Sequence, residues 1–494
     1  MDFAKTEITK GVTAIFNRMR NETHDDDEPI LRLNSEDEEE ADIELDGGKT
    51  EARIFNKQEA PLEQTPFKVL LELEGVGADE GRLGVDLVTI LDISGSMRGI
   101  ELAKLKLAMQ FLVQKLSRTD RLSVVTFNRK AEKLCPLRQI TENSRTEIAD
   151  QVNDLVAKSS TNTEAGLKLA LKILNDRTRT RNRSVAIMLM SDGIEDSESP
   201  AITVPVSEVP VYTFAFGSAC DHEVLSGIAK NSKGGTFSPV PDLEDLSVAF
   251  STSLAGLLNV SIEDLTLTVA PLNSSQLNKV NAGNYPQTRQ ATVMEPVTVT
   301  FRVLGKDTLD SDERLINVTR TAKPKDEERR EVLAEETRIG TASSIKEVRI
   351  LADQRELAEA RKKLEDANAS LSEIDAVLKA QVEHLHLLMA SQETYDNQGK
   401  AFALALEASH ESQRSTALPA GIPSLYDTPL MAEYKTQARN YDLDPEGYKV
   451  PRPEEDKITT APPPPPSLQV DRAKIQEILD MANQLAKLLR DLDS

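Results

Sequence analysis

Asp92, Ser94 and Ser96 stand two residues apart at the end of the apolar run Val85–Leu91, with Gly95 between the two serines. One carboxylate and two hydroxyls at that spacing form an all-oxygen set suited to a hard divalent cation. Two later residues offer the same chemistry. Thr161 lies in the polar stretch Ser159-Ser160-Thr161-Asn162-Thr163-Glu164, and Asp192 follows a second apolar run, Val185–Ser191, and precedes Gly193. Other chemistries find less support. Cys135 and Cys220 are far apart, with no C-x-x-C, so they build neither a zinc module nor a secreted disulfide framework. The histidines His24, His222, His384, His386 and His410 read as structural or surface residues, since His384 and His386 are two apart on a predicted helix and do not share a face. No G-x-S-x-G elbow surrounds Ser94 or Ser96, which argues against a nucleophilic hydrolase.

For these side chains to meet, their strands must be neighbours in one sheet. Val85–Leu91 is branched and aliphatic apart from Asp86, the pattern of a strand buried on both faces of a parallel sheet. An amphipathic helix follows, with Leu102, Leu105, Met109 and Leu112 on one stripe. Further strands are expected at Leu122–Phe127, Lys133–Leu137, Ser184–Met190 and Val209–Phe216, with helices beginning near Ile100, Ser144, Glu164, Asp221 and Leu243. That alternation predicts an α/β, doubly wound, mostly parallel sheet over 83–260, whose ligands bind at the carboxyl ends of its strands. D-x-S-x-S after the first strand, T-x-T-x-x-G-L before a helix and S-D-G after a later strand resemble, in that order, the metal-ion-dependent adhesion site of a von Willebrand factor type A (vWA) domain. The resemblance implies a Rossmann-like fold and a bound Mg²⁺, with Mn²⁺ or Ca²⁺ as alternatives. It further implies direct coordination by Ser94 and Ser96, with Thr161 joining in the ligand-bound form, and contacts of Asp92 and Asp192 through water. One coordination position then stays open for a partner's carboxylate. Ser159-Ser160 stand where many relatives carry glycines, a departure that stiffens this loop.

The flanks read differently. Ala52–Phe55 and Phe67–Glu74 before the α/β unit, and Leu265–Val269, Val297–Val303 and Leu315–Val318 after it, read as strands. We expect one small β-sandwich, 50–82 and 261–322, into which the vWA domain is inserted. Gly75–Gly81 reads as a junction, because a phosphate-cradling glycine loop would join a strand to a helix. Residues 325–415 are rich in Ala, Leu, Glu, Lys and Arg and predict a helical domain. Its seam would be Val332, Ile339, Ile345, Ile350, Leu357, Leu364, Leu371, Ile374 and Leu378, with a turn at Asn397-Gln398-Gly399. Residues 416–470 read as a proline-rich linker ending in Pro462 to Pro466, and 471–494 as an amphipathic helix that docks back, binds a partner or self-associates. The N-terminus predicts a docking helix over 1–20 and an acidic disordered segment over 21–49, where Arg32 alone opposes the acids between Asn21 and Gly48. Ser35, directly before Glu36–Glu40, suits an acidophilic kinase.

A net charge of −23 argues against nucleic acid as a partner, and no apolar run approaches membrane-spanning length. With no secretory pattern either, a cytoplasmic chain is expected. Gly234-Gly235-Thr236-Phe237, Gly256–Val260, Met389–Tyr395 and Ser409–Arg414 resemble the plant wavy-growth type of vWA ubiquitin ligase, whose helical region is called vWA-interacting. The resemblance covers roughly 50–415. Those ligases carry an N-terminal RING finger, whereas no cysteine precedes Cys135 here. The expectation is a non-enzymatic interaction protein that binds an acidic residue of a protein partner through the cation. In another form of this reading the chain's own acidic segment fills the open position and autoinhibits the site. The alternatives are a RING-less accessory or substrate-recognition subunit in ubiquitin transfer and, less favoured, a metal-assisted hydrolase.

Overall fold

The structure, a computed structural model, describes residues 49–453 apart from 64, 77–83, 181–182, 193–200, 207, 218–219, 261, 270–275, 284, 286–296, 304–308, 315, 326 and 373–374. The expected N-terminal helix, acidic segment and Ser35, residues 77–81 of the junction, Ile374, the Pro462 to Pro466 run and the closing helix lie outside the described residues.

In chain order the strands are β1 (Lys49–Asn56), β2 (Glu59–Pro61), β3 (Val69–Val76), β4 (Gly84–Asp92), β5 (Arg121–Phe127), β6 (Ala131–Gln139), β7 (Arg183–Ser191), β8 (Val211–Phe216) and β9 (Phe237–Val240), then β10 (Ile262–Thr268), β11 (Val297–Val303), β12 (Leu309–Arg314) and β13 (Thr319–Thr321). The helices are α1 (Ile100–Lys115), α2 (Glu142–Asn153), α3 (Thr163–Asn175), α4 (His222–Asn231), α5 (Leu246–Leu258), α6 (Arg330–Asp353), α7 (Leu357–Ser370), α8 (Ala376–Leu388), α9 (Lys400–Ser412) and α10 (Pro429–Leu443).

The central sheet runs β6-β5-β4-β7-β8-β9, parallel except for β6. All nine residues of β4 are buried, the apolar ones as a central parallel strand requires and Asp86 through its bonds to Arg121 and Arg183. Its side chains alternate between two cores. Val85, Leu87 and Leu91 pack with Leu105, Met109, Ile148 and Phe250 of α1, α2 and α5, while Val88 and Ile90 pack with Leu167, Ile173 and Ile228 of α3 and α4. The five expected strands and the helices are present, with a 3₁₀ turn at Leu243–Asp245 ahead of α5. Outside this sheet β1 pairs with β3 and β10-β11-β12 form an antiparallel sheet. A short parallel ladder joins β13 to β2, so the segments before and after the α/β unit meet. The strand expected at Leu315–Val318 is corrected. Pairing falls on the polar run Leu309–Arg314 instead, where Asp310 is opposite Phe301 across the ladder to β11.

Three further expectations change in the helical part. Ile350 in the proposed seam is exposed, whereas Val332, Ile345, Leu364 and Leu378 are buried. Asn397-Gln398-Gly399 makes no turn: Tyr395–Gly399 is a π-helical turn leading directly into α9, and a Cβ on Gly399 would meet the Leu388 carbonyl at 3.2 Å. The third concerns 416–470, which contains α10 rather than only a linker. Thr428 caps it, Pro429 occupies its first turn, and Met431, Tyr434, Ala438 and Tyr441 form a buried stripe.

That stripe lies against the α/β unit. Tyr434 and Met431 join the core under α1 and α5, and the Phe111 and Tyr441 rings are 5.8 Å apart. Lys115 of α1 is buried, donates to Gln437 and to the Pro451 carbonyl (both 2.8 Å), and lies 4.1 Å over the Tyr434 ring. Burial brings its ammonium down to about 8. Asp442 accepts a hydrogen bond from the Ser247 hydroxyl at 2.7 Å, and burial pushes its carboxyl up to about 6. The folded chain therefore binds this proton more tightly than the unfolded one. The group's contribution is fully present below about pH 4 and is lost as pH rises through about 6. Asp442→Asn keeps an acceptor for Ser247 and should stabilise the chain by about 1 kcal/mol at pH 7.5, after screening by solvent, with no gain at pH 4. Urea midpoints at the two pH values check this; equal shifts would contradict it.

Candidate metal site

The site forms where β4 ends. Asp92 is the last residue of that strand and is fully buried, and the chain then turns through a single 3₁₀ turn, Gly95–Met97. One Asp92 oxygen accepts the Ser94 backbone N–H at 2.8 Å, and the other accepts the Ser191 hydroxyl at 2.8 Å. The carboxylate is thus fixed from both its own loop and the neighbouring β7. Ser94 Oγ and Ser96 Oγ are 3.0 Å apart, and Ser96 donates to Asp192 Oδ1 at 2.9 Å. Ser94 is buried, whereas Ser96 is exposed.

The third segment is drawn in by backbone bonds. The Gly95 N–H donates to the Ser159 carbonyl and the Lys158 N–H to the Ile93 carbonyl, both at 2.8 Å. Thr161 follows two residues later and is buried, while Asn162 caps α3 by accepting the Ala165 N–H at 2.9 Å. Ser159 has φ +75°, the left-handed region that glycine occupies without cost. A serine here strains the turn.

Electrostatically the site favours a cation. Burial raises the Asp92 carboxyl above its usual range, and burial with the Asp92 charge pushes Asp192 up to about 6. Glu101, in the first turn of α1, adds a further like charge felt by Asp192. The Cys220 thiol, buried beside these carboxylates and donating to the Ser191 carbonyl at 3.5 Å, is raised as well. An all-oxygen donor set with clustered carboxylates suits a hard dication, which would relieve the repulsion. Of the five expected groups, Ser94, Ser96 and Asp192 form one hydrogen-bonded chain. Asp92 is tied to it through the Ser94 backbone, and Thr161 lies on the loop hydrogen-bonded to Gly95. Sequence reasoning missed the role of Ser191, whose bond to Asp92 joins two strands 99 residues apart in the chain.

Residues 86–252 match the family described as von Willebrand factor type A domain, and residues 368–440 match one described as VWA / Hh protein intein-like. The chain carries a von Willebrand factor type A domain. The second match runs through α10, beyond the limit of 415 expected for the resemblance. The E3 ubiquitin-protein ligase WAV3 of Arabidopsis thaliana is 31% identical over 201 residues, 38% of this chain and 24% of that protein. An uncharacterized protein of Synechocystis, sll0103, is 26% identical over 52% of this chain and 61% of its own length. The chain spans about a quarter of the length of the plant relatives it matches. The solved von Willebrand factor type A structure from Catenulispora acidiphila superposes with a TM-score of 0.54 at 16% identity, over 76% of this chain and 98% of that one, and shares the fold.

The vWA domain is held by the helical part through residues within the motifs singled out above. Arg414 donates to the Gly234 carbonyl at 2.9 Å, and Glu411 bridges Lys230 of α4 (3.0 Å) and Lys346 of α6 (3.1 Å). Lys400 of α9 pairs with Glu223 of α4 at 2.5 Å, and the Tyr395 hydroxyl donates to Asp353 at 2.9 Å. Ala405 of α9 enters the core under α3 and α4. Among the described residues, no helix is long and apolar enough to cross a membrane.

Proposed function

We propose that Asp92, Ser94, Ser96, Thr161 and Asp192 hold a divalent cation, Mg²⁺ first, and that its open position takes a carboxylate from a protein partner. The chain then acts by binding rather than by catalysis. The observation that carries this reading is the hydrogen-bonded line Ser94–Ser96–Asp192 at the carboxyl edge of β4 and β7, beside the buried Asp92. Few direct anionic ligands leave such a cation electrophilic, which is what capture of a carboxylate needs. The plant relatives, named as E3 ubiquitin-protein ligases, favour one specific second reading. In it the captured partner belongs to ubiquitin transfer, and this chain recognises or presents it.

A full-chain bait should retain its partner in Mg²⁺ and release it in chelator. Thr161→Ala should reduce that capture at least about tenfold while leaving cation affinity within about threefold, because Thr161 joins only the ligand-bound form. Capture that is indifferent to chelator would refute the reading. A RING protein or ubiquitin-conjugating enzyme among the retained chains would select the second one.

A further inference from the structure

Two exposed apolar side chains mark the rim of the candidate metal site. Among the described residues of 84–258, Ile100 and Val156 are the only large apolar side chains left exposed, at 56% and 67%. Both belong to the edge that carries Asp92. Ile100 opens α1 four residues after Ser96. Val156 is on the loop whose Lys158 N–H donates to the Ile93 carbonyl and whose Ser159 carbonyl accepts the Gly95 N–H. Its neighbours Leu155 and Ala157 are buried. Single apolar side chains scattered over a surface need no explanation, but these two are confined to the edge where such sheets bind ligands.

Positive charge accompanies them. Arg98 is exposed and its Nε donates to the Ala157 carbonyl at 3.4 Å, which lays it against the Val156 loop. Lys158, two residues beyond Val156, is exposed as well, and among the described residues neither cation makes an ion pair. Arg129 and Lys130 follow Phe127, whose carbonyl accepts the Ile93 N–H at 2.8 Å, and both are exposed. The carboxylates in these two loops are Asp154, the C-cap of α2, and Glu132. Acids gather instead around Asp192. Glu101 adds a like charge there, and in sequence Glu195, Asp196 and Glu198 follow it outside the described residues. A second acid on a bound partner is therefore repelled on the Asp192 side and attracted on the Arg98–Lys158 side.

We propose that the partner presents a short acidic and apolar segment rather than a lone acid, an inference that rests on the cation-dependent capture proposed above. One carboxylate of the segment binds the cation. An apolar side chain packs on Ile100 and Val156, and a second carboxylate, near the first in sequence, pairs with Arg98 and Lys158. The cation then supplies a contact common to any carboxylate, while the rim selects among partners.

The probe is a peptide library with a central aspartate and varied residues on both sides, panned on the immobilised full chain in Mg²⁺ and again in chelator. In Mg²⁺ the retained peptides should be enriched about threefold to fivefold in Leu, Ile, Val or Phe at one flanking position and in Asp or Glu at another. Chelator should abolish retention. Ile100→Ser with Val156→Ser should remove the apolar preference alone. Arg98→Glu with Lys158→Glu should turn the acidic preference into one for Lys or Arg, a reversal that misfolding cannot produce. Retention in Mg²⁺ without flanking preferences, or with preferences that the variants leave unchanged, would overturn the proposed surface while the cation reading stands. Preferences that persist in chelator would keep the surface and overturn the cation reading. A library that shows no enrichment in either buffer would contradict both.

Discussion

Asp86→Ala should cost the chain about 3–5 kcal/mol of stability, the range found when one partner is removed from a buried ion pair. Arg121 is 1% exposed and its side chain has no route to water, so loss of the carboxylate leaves a buried guanidinium beside that of Arg183. The damage falls on three strands at once, because Asp86 is on β4, Arg121 starts β5 and Arg183 starts β7. Asp86→Asn keeps an acceptor but removes the charge, and should lose less than alanine. Urea unfolding of the three chains provides the check. A loss below about 1 kcal/mol in Asp86→Ala would mean that the cluster is solvated and only decorates the edge.

The fold was readable where one physical pattern dominated a segment. The runs at Val85–Leu91, Leu122–Phe127 and Ser184–Met190 lie in central strands that are largely buried on both faces, so they are predominantly apolar and need no partner to be recognised. β9 is only four residues, Phe237–Val240, with a proline in it, and edge strands tolerate what central ones do not. α10 was hidden by its neighbourhood. Prolines on both sides read as a linker, while its stripe of Met431, Tyr434, Ala438 and Tyr441 is buried against another part of the chain. Gly399 looked like a stop, but its lack of a side chain permits close packing within a continuing helix. At the candidate site, Asp92, Ser94, Ser96, Thr161 and Asp192 could be picked out by type and spacing. The Ser191 bond to Asp92 and the left-handed Ser159 could not, because both depend on how separate strands and loops meet.

Loss of cation binding in Asp92→Ala is the largest functional effect expected. Asp92 organises the site through both oxygens, one on the Ser94 backbone and one on the Ser191 hydroxyl, and it supplies a buried negative charge. Its removal takes away charge and positioning together, and should weaken the cation about a hundredfold, the upper end for groups that act around a metal. The decisive measurement is calorimetric titration of Mg²⁺ and Mn²⁺ into the full wild-type chain, with Asp92→Ala beside it. One cation should bind per wild-type chain, and the variant should show no resolvable binding. Wild-type protein that takes up no cation, or a variant that binds as well as wild type, would contradict it.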